Sequence, residues 1–272
     1  MSDNFSQTIH SHLWQEQAEP DNPFAAARCL CSGYDVYGEL LGKASYIDYL
    51  YLLLRGERPG TEASRALNVL AIALANPGPR APSVHAAMAS GVTGNPASSS
   101  LMAALAAGAG SYGGAREVLL AMQAWQALDT DRAQWEAALR APQAQTRPLF
   151  WPQAEHAPGF DPHGKRCATP VLQTLSLLAE LLPDGPLAWL QAERAALEAA
   201  AGIPLAMTGV AAAALSSLGF SPAAGEMLTL LLQLPGAAAH ALEQSQRGFR
   251  QFPFFELALD NDPGPARAKD QP

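Results

Sequence analysis

From Ala44 to Gly248, alanine and leucine dominate nearly every segment, and polar/apolar alternation over strand lengths is hard to find. A half-buried strand requires that alternation, whereas apolar residues spaced by three and four mark one face of a helix. A chain of this kind folds chiefly as helices, with its glycines and prolines setting where each one stops. The expected fold class is all-α, a single unit of about ten or more helices with no repeat of fixed period.

The segment "ASYIDYLYLLLRG", Ala44 to Gly56, is apolar on almost every side and belongs in a core. Next comes "TEASRALNVLAIALANPGP", where Thr61 or Ser64 can cap the start and Asn76-Pro77-Gly78 stops the helix. "SVHAAMASGVTG" and "SSSLMAALAAGAG" are rich in Ala, Gly and Ser, which lets helix backbones approach closely within or between subunits. "GGAREVLLAMQAWQAL" reads as an amphipathic helix from Gly113 to Leu128, with Val118, Met122 and Trp125 along one stripe. The stretch from Ala141 to Thr169 is dense in Pro and Gly and reads as a binding loop, which Phe150, Trp151 and Phe160 help to order. Helices resume through "VLQTLSLLAELL", "PLAWLQAERAALEAAAG" and "LAMTGVAAAALSSLGF". Two more are read on either side of Pro235, "PAAGEMLTLLLQL" and "GAAAHALEQSQRG", and the tail "NDPGPARAKDQP" is expected to be disordered.

The 272 residues suffice for a sizeable core, and charged residues make up only 15% of them, against roughly 25% in soluble domains. An extensive homo-oligomer interface accounts for that shortfall. The net charge of -8, with scattered basic residues, argues against nucleic acid or an anionic membrane as the main partner. The opening "MSDNFSQTIHSHLWQEQ" has no apolar core flanked by basic residues, and no later stretch has membrane-spanning length, so a cytoplasmic location is expected. Cys29, Cys31 and Cys167 form neither an even set nor a zinc-ligand spacing, and each is expected to be structural; no metal is expected.

Three stretches taken in order resemble the citrate synthase superfamily, especially its short citryl-CoA lyase-like members. "GYDVYGELLGKASYIDYLYLLLRGERP", Gly33 to Pro59, is similar to the family's Gly-Tyr-Asp, Leu-rich helix and Leu-Arg-Gly-Glu-x-Pro. "GSYGGAREV" is similar to its Gly-x-x-His-Gly-Gly-Ala-x-Glu, and "TGVAAAALSSLGF" with "LLLQLPGAAAHALEQ" to its final large-domain helices. The resemblance implies a dimer of two-lobed subunits. Residues 1–114 and 222–272 would form the large helical domain and 115–221 the small one. It also implies C–C chemistry beside the thioester of an acyl-CoA, with a di- or tricarboxylate as the other substrate or product. No covalently bound cofactor is implied; the coenzyme A thioester is substrate or ligand.

In the family a carboxylate moves the proton on the carbon beside the thioester, one histidine steadies the enolate oxygen and a second polarises the oxo-acid carbonyl. This sequence departs from all three. The first histidine falls on Tyr112, whose phenol, ordinarily protonated at neutral pH, still donates a hydrogen bond or simply packs against the next helix. The second falls within "PGFDPHGKR", on Pro162 without a gap or on His163 with one inserted residue. The carboxylate falls on Thr208, which cannot act as a general base near neutral pH, so Asp161, Glu117 or a substrate group would have to take that role. The free N–H groups at Gly113 and Gly114 favour negative charge at a helix start. The resemblance implies that Arg116 and Arg250 meet a substrate carboxylate and that Lys165 and Arg166 meet coenzyme A phosphates, unless these charges merely face solvent. His85 and His240 lie on Ala-rich helices and are expected to be structural. Three functions compete: an acyl-CoA enzyme with rearranged acid/base groups, a CoA-ester-binding subunit that has lost the chemistry and pairs with itself or an active paralogue, and a helical scaffold with no small ligand.

Overall fold

The computed structural model describes residues 11–141 and 156–253. Within them the chain is helical, as composition implies: α1 Tyr46–Arg55, α2 Thr61–Ala75, α3 Pro82–Val92, α4 Ala97–Gly108, α5 Ala115–Leu128 and α6 Arg132–Arg140 precede the irregular stretch. After it come α7 Thr169–Leu181, α8 Pro186–Ala201, α9 Met207–Ser217 and α10 Pro222–Arg247. No helix among the described residues is long and apolar enough to cross a membrane. Phe150, Trp151 and the tail from Asn261 lie outside the described residues.

The N-terminal region departs from an all-helical reading. Strands β1 Trp14–Glu19 and β2 Asn22–Cys31 form an antiparallel hairpin, to which β3 Tyr34–Asp35 adds a short third strand. β1 is exposed along its whole length, and Phe24 in β2 is 98% exposed. With no face turned into a core, neither strand carries the period-two pattern that would mark it. The hairpin is anchored at its end, where Cys31 is buried with Leu40 and with Leu52 of α1.

Helix α1 begins in a capping box: the Ser45 side chain accepts from the Asp48 backbone, and the Asp48 side chain accepts from Ser45. Gly56, left-handed at φ 74, closes it. Helix α2 starts at Gly60 with no side-chain cap. The Ser64 hydroxyl, expected as a cap, instead donates to Asp48 Oδ1 at 2.5 Å and ties α2 to α1.

At the centre lies α9, whose residues Val210 to Leu215 are all fully buried. Leu67 and Leu70 of α2, Val118 and Met122 of α5, Leu175 and Leu178 of α7 and Leu228 of α10 belong to the same core. Small residues set the closest approaches. A Cβ on Gly225 would lie 2.2 Å from Met122 Sδ, and one on Gly91 would lie 2.5 Å from the Ala241 carbonyl. The small-residue faces of α3 and α4 therefore pack within the subunit, against α10.

The expected break at Pro235 does not occur, and α10 runs for 26 residues through it. Proline removes one N–H from the helix ladder. Tight seating supports the turn that follows, since a Cβ on Gly236 would lie 2.4 Å from the Ala75 carbonyl. One turn on, the His240 ring sits 3.2 Å from both Asn76 Oδ1 and Glu243 Oε2, a structural setting.

Candidate active site

Helix α5 is entered through a tight reversal. Gly113 has φ +68, and a Cβ on Gly114 would lie 2.5 Å from the Gly110 carbonyl, so the second glycine of the pair is sterically required. Gly114 is the N-cap and offers no side chain to the free N–H groups. Glu117, one turn in, reaches back and accepts from the Gly113 N–H.

Glu117 is 1% exposed, a carboxylate at the bottom of the site. Its Oε1 accepts from the Gly159 N–H at 2.8 Å and from the Thr208 hydroxyl at 3.0 Å. Buried charge is tolerable only when it is well hydrogen-bonded, and three donors from three parts of the chain meet that demand. Gly159 arrives on the loop before α7, held in turn by the segment before α9. Ala206 N–H donates to the Gly159 carbonyl at 2.9 Å, Asp161 N–H donates to the Pro204 carbonyl at 2.8 Å, and Phe160 bridges Leu205. A Cβ on Gly209 would lie 2.4 Å from the Gly159 carbonyl, so α9 and the loop meet backbone to backbone.

His156, on the same loop, completes the cluster, and sequence reasoning passed over it. Its Nε2 lies 3.9 Å from Glu117 Oε1, its side chain is 6% exposed, and its buried Nδ1 has no hydrogen-bond partner among the described residues. The Tyr112 ring packs on the imidazole with centroids 5.4 Å apart, and Tyr112 itself is 39% exposed. On its other side Tyr112 lines a pocket with Ser83, Gly108, Gly113, Gly114 and Gln233. The signal for His156 was its place three residues before the Gly159-Phe160 pair, in a stretch without periodicity.

The structure thus brings Tyr112, Gly113, Gly114 and Thr208 together around Glu117. It places the other expected site residues differently. Asp161 is half-buried, and its Oδ1 accepts from the His163 N–H at 2.9 Å in a local turn. His163, Lys165 and Arg166 are exposed. Arg116 pairs with Glu226 of α10 at 2.9 Å, and Arg250 is exposed in the short 3₁₀ turn after α10. No group of three or more His, Cys, Asp or Glu among the described residues can hold a metal ion. Burial pushes the nearby Cys167 thiol up to about 11, and its Sγ lies 3.5 Å from the Leu205 carbonyl.

Comparison with solved structures decides the architecture. Citryl-CoA lyase from Hydrogenobacter thermophilus superposes with a TM-score of 0.69 over 94% of this chain and 97% of that one, at 19% identity. The chain has the citryl-CoA lyase fold. The same fold appears in ATP citrate lyase from Methanothrix soehngenii in complex with citrate and coenzyme A (TM-score 0.67, 17% identity, 92% of this chain). It appears again in a mutant of Methanosaeta concilii ATP citrate lyase in complex with (3S)-citryl-CoA (TM-score 0.68, 16% identity, 93% of this chain). This chain spans 42% of each of those two longer chains. No family model matches the sequence, and neither does any curated protein. The citryl-CoA lyase fold is helical with little sheet, in keeping with the composition.

Proposed function

We propose that this chain binds an acyl-CoA and a di- or tricarboxylate and makes or breaks the C–C bond alpha to the thioester, as citrate synthases and citryl-CoA lyases do. One observation carries the reading. The Gly113–Gly114 helix start, the Gly159 loop and the first turn of α9 converge on one buried carboxylate, Glu117. Tyr112, beside the first of these, and Thr208, on the last, are positions at which the family resemblance sets reacting groups; the remaining one, Pro162 or His163, follows Gly159 on the same loop. The solved structures of this fold that hold citrate with coenzyme A, or citryl-CoA, support the ligand class.

In this reading the thioester oxygen lies at the Gly113–Gly114 helix start, where the helix dipole favours the negative charge of an enolate. The Tyr112 O–H donates to that oxygen in place of an imidazole. Lys165 and Arg166, exposed on the loop that leads from Gly159 to α7, meet the phosphates of coenzyme A. Residues 115–221 close as a small domain over a large one made of 1–114 and 222–272, in a cytoplasmic homodimer, and the low charged fraction of 15% suits a large subunit interface.

Thr208 in the carboxylate position favours a second reading, a CoA-ester-binding subunit without turnover. Calorimetric titration with coenzyme A and acetyl-CoA, followed by thiol release from acetyl-CoA with oxaloacetate, separates the two. Binding with turnover supports the enzyme, and binding alone supports the subunit. A folded protein that binds neither ligand overturns both.

A further inference from the structure

We infer that His156 is the acid/base group of this site, with Glu117 and Thr208 as its positioning residues. The inference rests on the acyl-CoA reading above and assigns the proton transfer within it. Nε2 is the imidazole nitrogen turned toward the Glu117 carboxylate, which can only accept, so a ring proton on Nε2 is the tautomer that suits the pair at hydrogen-bond distance. Nδ1 is left with its lone pair, buried and without a partner among the described residues. A buried polar atom with no partner among the described residues calls for a reason. A proton delivered from a substrate carbon supplies it.

The arrangement is base, orienting carboxylate and a third group that holds the carboxylate. Oε1 of Glu117, the atom that faces His156, is the atom that takes the Gly159 N–H and the Thr208 hydroxyl. Threonine at position 208 therefore does not delete a carboxylate from the site; it braces one that arrives from α5. At 3.9 Å, Nε2 and Oε1 are about one ångström from hydrogen-bond contact. Tyr112 packs on His156 and also lines the pocket at Gly113–Gly114.

The step balances simply. Nδ1 takes the proton from the carbon alpha to the thioester, the C–H electron pair becomes the enolate, and the imidazolium formed lies beside the Glu117 carboxylate. In the cleavage direction Nδ1 takes the proton of citryl-CoA's tertiary hydroxyl as that carbon becomes the carbonyl of oxaloacetate and the C–C bond breaks, and the imidazolium then gives the proton to the enolate of acetyl-CoA.

The test uses citryl-CoA and the full chain. His156→Ala is expected to lower kcat by about 100-fold or more with little change in KM, and added imidazole is expected to restore part of the rate. Nitrogen-15 NMR of the wild-type imidazoles is expected to show His156 protonated on Nε2, a preference that weakens in Thr208→Val. His156→Gln, which keeps a polar side chain of similar size, guards against a mere folding defect. A His156→Ala protein that cleaves citryl-CoA at the wild-type rate overturns the assignment alone, as does a loss that imidazole cannot restore in a protein still binding citryl-CoA. A folded wild-type protein that neither binds nor cleaves citryl-CoA overturns the acyl-CoA reading itself.

Discussion

Thr208 donates its hydroxyl hydrogen bond to Glu117 across 3.0 Å of space and 91 residues of sequence. That contact ties the first turn of α9 to the buried carboxylate of α5. Thr208→Val, nearly the same shape, is expected to destabilise the protein by about 1 kcal/mol, the ordinary worth of one such bond, while Thr208→Ser keeps it. Thr208→Asp sets a second carboxylate against the first and is expected to cost about 2 kcal/mol or more. Urea unfolding of the three variants checks the order. A Thr208→Asp protein more stable than wild type contradicts it.

Glu117→Ala strands the Gly113 and Gly159 N–H groups and leaves a cavity below Tyr112. The expected loss is about 3 kcal/mol, because each buried donor without a partner costs more than the bond itself was worth. Glu117→Gln retains an acceptor oxygen but turns an NH₂ toward one set of donors, and its loss is expected to be intermediate. Chemical denaturation measures both.

Gly209→Ala places a Cβ 2.4 Å from the Gly159 carbonyl, a backbone atom that cannot swing aside. The loop must shift, at an expected cost of about 2 kcal/mol in stability. Binding of coenzyme A esters is expected to weaken as well, because Gly159 carries one of the donors to Glu117. Thermal unfolding with and without acetyl-CoA reads both effects.

Among the cysteines, Cys31 and Cys167 are buried and Cys29 is half-buried. In the native protein one thiol, Cys29, is expected to react quickly with an alkylating reagent, and the other two only on unfolding. The folded-state value of Cys167, pushed up from 9.0 to about 11 by burial, fixes the sign of an alkaline effect. Between these values the unfolded thiol is ionised and the folded one is not. Its contribution is therefore whole below about pH 9 and is lost as pH rises toward 11. Stability curves for wild type and Cys167→Ala are expected to converge in slope above that window.

Much of the fold was legible because apolar residues at helical spacing and the stop at Gly56 act locally, and α1, α2, α5, α7, α8 and α9 fall where periodicity sets them. The hairpin Trp14–Cys31 was not, since strands exposed on both faces leave no alternation to read. The short α6 was also passed over, its single buried side chain being Trp135. Pro235 was read as a break because the cost of a helical proline is local, whereas the seating of Gly236 against α2 is tertiary. At the candidate site, Tyr112, the glycine pair and Thr208 are the positions the family resemblance points to, and they lie around Glu117. His156 was not legible because its approach to Glu117 joins residues far apart in the chain through a loop that has no period.

The most direct measurement mixes the purified protein with citryl-CoA and follows acetyl-CoA and oxaloacetate by mass spectrometry. The account expects both products in equal amounts, at a rate that falls sharply in His156→Ala. Citryl-CoA recovered intact from a folded protein, whether bound or free, would contradict it.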